Sequence, residues 1–134
     1  MTTGVIIVDH GSRSADSNAL LIELAEQFAR RFTGRYAIVE PAHMELADPT
    51  IGHAFARCIW RGADRVVVCP FFLGPGKHWQ SDIPRLVEEA AATFPGVPHR
   101  VAAPLGIDDL MLRLVDKRIG QTLERMGSDA LERI

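Results

Sequence analysis

The sequence predicts an α/β fold, a four-stranded parallel sheet with helices on both faces, and three observations predict it. Short apolar runs alternate with longer stretches of helical period, in the order β-α-β-α-β-α-β-α. The runs 5–8 (Val-Ile-Ile-Val) and 66–68 (Val-Val-Val) are too continuously apolar for strands with one wet face, and suit strands covered on both sides. Glycine or proline punctuates most of the junctions. Right-handed crossovers then give one sheet, for which the order 2-1-3-4 is expected. That order places a switch point between the first and third strands, where open parallel sheets gather ligands.

Each element has its own signature. The first strand, residues 5–8, runs into Asp9-His10-Gly11-Ser12-Arg13. The first helix, from about Ser17 to Phe32, carries Leu20, Leu21, Leu24, Phe28 and Phe32 as its apolar stripe and ends at Gly34. The second strand, residues 36–40, stops at Pro41, with 42–47 as the loop that follows. Asp48 is expected to cap the second helix, with Pro49 in its first position. Ile51, Ala54, Phe55, Cys58 and Ile59 form that helix's stripe, and Gly62 closes it. The third strand, residues 65–69, leads into a Gly-Pro-Gly loop carrying Lys77, His78 and Trp79. Asp82 is expected to cap the third helix, whose stripe is Ile83, Leu86, Val87, Ala90, Ala91 and Phe94. The fourth strand is 100–103. A final helix runs from about Asp108 to Met126 with Leu110, Leu114, Ile119 and Leu123, and Gly127 ends it.

Bulk properties narrow the function. A chain of 134 residues suits a single domain, 1–134. A net charge of -2 offers no basic excess to neutralise phosphates, so no nucleic-acid partner is expected. The two cysteines belong to no CxxC, which argues against a disulfide framework or structural zinc and suits a reducing compartment. No signal peptide is read at the N-terminus and no apolar run reaches membrane-spanning length, so no membrane partner and a cytoplasmic location are expected.

The strand ends carry the chemistry. Parallel connections bring three polar sets to one edge: His10 with Arg13, His43 with Glu45, and Lys77 with His78. Two imidazoles and a carboxylate with open positions suit a divalent ion such as Fe, Co, Ni or Zn, and imidazole is also a base near neutral pH. Against this, a lone loop histidine is more often a solvated or capping residue, and the glycines are good turn formers. No local spacing signature such as HExxH supports the ligands. Phosphate chemistry is disfavoured: GxGxxG and GxxxxGK[ST] are missing, as is an arginine directly before His10-Gly11. No GxSxG elbow is present.

Four ordered blocks resemble a known family. They are Val8-Asp9-His10-Gly11-Ser12-Arg13, Glu40-Pro41-Ala42-His43-Met44-Glu45-Leu46-Ala47-Asp48-Pro49-Thr50-Ile51, Cys69-Pro70-Phe71-Phe72-Leu73-Gly74-Pro75-Gly76-Lys77-His78-Trp79, and Asp82-Ile83-Pro84. Together they look like the short-type sirohydrochlorin chelatases of the CbiX/SirB family, with wording nearest the siroheme-branch ferrochelatases. The resemblance implies a chelatase-like, flavodoxin-like three-layer sandwich. It implies a lyase that inserts Fe2+ (giving siroheme) or Co2+ (on the cobalamin route) into the tetrapyrrole sirohydrochlorin. No cofactor beyond that substrate metal is expected. By the same resemblance His10 and His78 are the catalytic residues, and His10, Glu45 and His78 surround the metal. Arg13 and Lys77 would meet the substrate's carboxylates, and Met44 and Trp79, with Phe71 and Phe72, would offer apolar surface to the macrocycle. His43 would act directly or orient its neighbours. Longer relatives hold two such modules, so a homodimer is expected to supply the second wall. The alternative is a non-catalytic metal or tetrapyrrole carrier on the same fold.

Overall fold

A computed structural model describes residues 1–74, 76 and 79–132. In chain order it contains β1 (Thr3–Asp9), α1 (Ala15–Arg31), β2 (Ile38–His43), α2 (Ile51–Trp60), β3 (Arg65–Pro70), α3 (Trp79–Ala92), β4 (His99–Val101) and α4 (Asp109–Glu132). All described strand pairs are parallel, as expected from right-handed crossovers, and the sheet order is the expected β2-β1-β3-β4.

Strand alternation divides the core into two layers. Ile6 and Val8 of β1 point to a layer shared with Phe55, Cys58, Ile83 and Val87, from α2 and α3. Val5 and Ile7 point the other way, toward Leu21 and Ala25 of α1. Both faces of β1 are therefore dry, and the strand can be apolar at every position.

Several expected boundaries move, each for a local reason. The first helix begins at Ala15 because Ser14 caps it, accepting a hydrogen bond from the Ser17 amide. Its buried residues are Leu21 and Ala25, and Leu20, expected in the apolar stripe, is 67% exposed. The second strand continues through Pro41 to His43. Pro41 is tolerated because β2 is an edge strand and needs ladder donors on one side only.

The second helix is capped by Thr50, not Asp48. The Thr50 hydroxyl accepts from the His53 amide at 3.1 Å, while the Pro49 carbonyl is held by the His43 amide at 2.8 Å. The third helix starts at Trp79, so Asp82 lies in its first turn rather than at its cap. The fourth strand is short, ending at Val101. The last helix runs on past Gly127 to Glu132. Its expected stripe does not meet the sheet: Leu110, Leu114, Ile119 and Leu123 are 44–75% exposed. Among the described residues, no helix is long and apolar enough to cross a membrane.

Candidate active site

The carboxyl ends of β1 and β2 build the site. The last paired residues of the ladder are Asp9 and His43. Backbone bonding continues beyond them. The Met44 amide donates to the Asp9 carbonyl at 2.9 Å, and the Glu45 amide to the His10 carbonyl at 3.2 Å. Gly11 lets the two loops lie this close. It has φ +88°, and a Cβ there would stand 1.8 Å from the Glu45 carbonyl oxygen. A left-handed backbone in van der Waals contact with a neighbouring carbonyl admits glycine alone.

This packing brings two expected residues together. His10 Nε2 lies 3.1 Å from Glu45 Oε1, and both side chains are 53% exposed. A divalent ion about 2.1 Å from each donor holds two ligands roughly 3.0–3.4 Å apart, so the pair already has the spacing of a chelating edge. Without a metal the same pair can share a proton. The Phe72 ring stands edge-on to His10, with centroids 6.3 Å apart. It is brought there by β3, whose continuation is fixed to β1 by the Phe71 amide donating to the Val8 carbonyl at 2.7 Å.

Behind the exposed pair lies a buried one. His43 is fully buried, and its Nδ1 is 2.6 Å from Asp9 Oδ1. The same carboxylate oxygen accepts the Gly11 amide at 3.1 Å. Sequence reasoning allowed His43 an orienting part but passed over Asp9. The signal was faint, because only the register of β1 against β2 places the two opposite one another, and register across a helical crossover is not written in local spacing.

The remaining expected site residues divide as follows. Arg13 is exposed on the loop ahead of α1. Met44, expected to face a macrocycle, is 9% exposed and belongs to the core cluster with Ala42 and Ile51. Strand alternation near the end of β2 turns it inward. Trp79 is the first residue of α3. Lys77 and His78 lie outside the described residues. Among the described residues, no three His, Cys, Asp or Glu side chains gather to hold a metal. Neither cysteine belongs here: Cys58 is buried in the core, and burial pushes its thiol up to about 12. Beside the site, Asp9, Leu20, Leu21, Leu24 and Phe71 line an apolar hollow of about 330 Å³.

Comparison with known proteins shows the family. The sequence profile of the CbiX family matches residues 4–122. The chain is 52% identical over 129 residues to the chloroplastic sirohydrochlorin ferrochelatase of Arabidopsis thaliana, covering 96% of this chain and 56% of that protein. The chain thus spans little more than half of that relative's length. It is 30% identical over 128 residues to the sirohydrochlorin cobaltochelatase of Saccharolobus solfataricus, covering 91% of this chain and 97% of that one. Among solved structures, SirB from Bacillus subtilis with Fe3+ superposes with a TM-score of 0.84 at 27% identity, over 91% of this chain and 48% of SirB.

Proposed function

This chain belongs to the CbiX family, and from that premise we propose that it is a sirohydrochlorin chelatase, inserting a divalent metal into a tetrapyrrole. The observation that carries the proposal is the exposed His10–Glu45 pair, 3.1 Å apart at the carboxyl edge of the sheet. Identity of 52% to a protein named sirohydrochlorin ferrochelatase makes Fe2+ the proposed metal, with Co2+ the second substrate.

The chemistry asks for two things. The ion must give up water, and the two pyrrolic N–H protons of the macrocycle must leave as it enters. A neutral imidazole and a carboxylate hold a divalent ion and accept protons in turn. In this reading His10 and Glu45 present the metal, and His78 completes the set and shares proton abstraction with His10. Arg13 and Lys77 pair with the carboxylates on the macrocycle's rim. Trp79, with Phe71 and Leu73, which are 41% and 68% exposed, supplies the apolar bed. A homodimer forms the opposite wall. Two features support it: the open site, and the match to just under half of the SirB chain. A cytoplasmic location belongs to the proposal as well, and two free thiols are in keeping with it.

The test mixes the purified chain, sirohydrochlorin and Fe2+ or Co2+ without oxygen and follows the absorption change. Insertion is expected to outpace the protein-free control, with the higher kcat/KM for Fe2+. His10→Ala and Glu45→Gln should each lower kcat by about 100-fold to 10,000-fold. A rate equal to the control, with sirohydrochlorin tightly bound, would establish the carrier instead.

A further inference from the structure

We infer that the buried Asp9–His43 pair is a positioning device that holds His10 and Glu45 at their chelating distance. The inference rests on the chelatase reading only for its activity readout. Asp9 immediately precedes His10, and His43 precedes Glu45 by two residues. One carboxylate oxygen, Asp9 Oδ1, receives both the His43 Nδ1–H at 2.6 Å and the Gly11 N–H at 3.1 Å. A single atom thereby ties the turn that carries His10 to the strand end that carries Glu45. The His43 Cβ also lies 3.2 Å from where a Gly11 Cβ would stand. The tie sits at the closest approach of the two loops.

In this inference His43 acts through Asp9 rather than on the metal. Its Nδ1 is occupied by Asp9, and its Nε2 is buried and has no hydrogen-bond partner among the described residues. A buried ring nitrogen left unsatisfied costs stability, and an aliphatic side chain of similar size would avoid that cost. Core packing therefore does not explain a histidine at this position. Positioning does. Because Asp9 accepts, Nδ1 carries the hydrogen and the ring orientation is set. Loops bearing a metal-handling pair need such an anchor, since a displacement of about half an ångström is enough to spoil a preorganised site.

The experiment titrates Co2+ into the 134-residue chain and its variants, reading the dissociation constant and the visible d–d spectrum, and then measures insertion into sirohydrochlorin. His43→Leu, which fills the space without a donor, should weaken Co2+ binding and lower kcat/KM by about 10-fold to 100-fold, with an altered d–d band. Binding of metal-free sirohydrochlorin should stay close to wild type. His43→Asn restores a donor toward Asp9 and should recover most of the loss. Wild-type Co2+ affinity and spectrum in His43→Leu, or His43→Asn as impaired as His43→Leu, would overturn the inference. Should His43→Leu not fold, the isosteric Asp9→Asn takes its place; an intermediate loss of affinity supports the device, and wild-type affinity overturns it. Graded Co2+ affinities in a protein that inserts no metal would refute the chelatase reading and leave the positioning role standing. Unchanged affinities in an active enzyme would do the reverse.

Discussion

At the scale of single residues, Gly11 decides whether the site exists. Its φ of +88° would strain any L side chain by about 1–2 kcal/mol, and a methyl group there meets the Glu45 carbonyl oxygen at 1.8 Å. Backbone cannot swing aside as a flexible side chain can, so the two loops must part. Gly11→Ala is expected to cost more than about 2 kcal/mol in urea unfolding and to abolish chelation even where the protein still folds. An active Gly11→Ala protein would mean that the His10–Glu45 contact is dispensable. His10 and Glu45 were legible in the sequence because both follow apolar runs at strand ends, where parallel sheets expose their loops. The burial of Met44 was not legible for want of register, since which residue turns inward at the end of β2 depends on its pairing with β1.

Among the elements, order was easier to foresee than boundaries. Right-handed crossovers leave few topologies for this alternation, and the order chosen among them, 2-1-3-4, is the one observed. The end of β2 did not. Proline stops a central strand but not an edge one, and edge status is a property of the whole sheet. The cap of α2 was likewise ambiguous between Asp48 and Thr50, both good capping residues; bonding of the Pro49 carbonyl to the His43 amide decides it for Thr50. Elsewhere a side-chain pair joins α3 to β4: His99 Nε2 is 2.8 Å from Glu88 Oε1, and Nδ1 is 3.1 Å from the Val97 carbonyl. The bond to Glu88, then the one to Val97, raises the His99 pKa above its ordinary value of 6.5. A raised folded-state value means the stabilisation is complete below pH 6.5 and fades as pH climbs through the folded pKa. Glu88 is 73% exposed, so the effect stays under about 1 kcal/mol. Glu88→Gln should therefore destabilise the protein near pH 6 and converge with wild type near pH 9. A difference in unfolding free energy that is flat across that range would refute the linkage.

For the whole molecule, the decisive feature is the helix that the sandwich leaves uncovered. Packing of α1 on one face and of α2 and α3 on the other completes both core layers without α4. At 100° per residue, Leu112, Val115, Ile119, Leu123 and Met126 of α4 fall within about 80° of one another, whereas Leu110 and Leu114 lie off that line. These five are 52–60% exposed. The steps from 112 to 115, 119, 123 and 126 average about 3.5 residues, the repeat of a helix that packs along a partner helix. Such a seam in contact with water is unfavourable, since each large aliphatic side chain gains roughly 1.5–3 kcal/mol on full burial. A second copy of the chain offers an identical seam, and two-fold pairing satisfies both at once. The double variant Ile119→Glu/Leu123→Glu places two like charges per chain in that seam, and no core residue is touched. Sedimentation at micromolar concentration should find the wild type dimeric and the variant monomeric, with the same far-ultraviolet spectrum. If the dimer supplies the second wall of the site, the monomer should still bind Co2+ through His10 and Glu45 but insert it into sirohydrochlorin far more slowly. A monomeric wild type with full activity would show instead that one sandwich suffices and that α4 packs on something else.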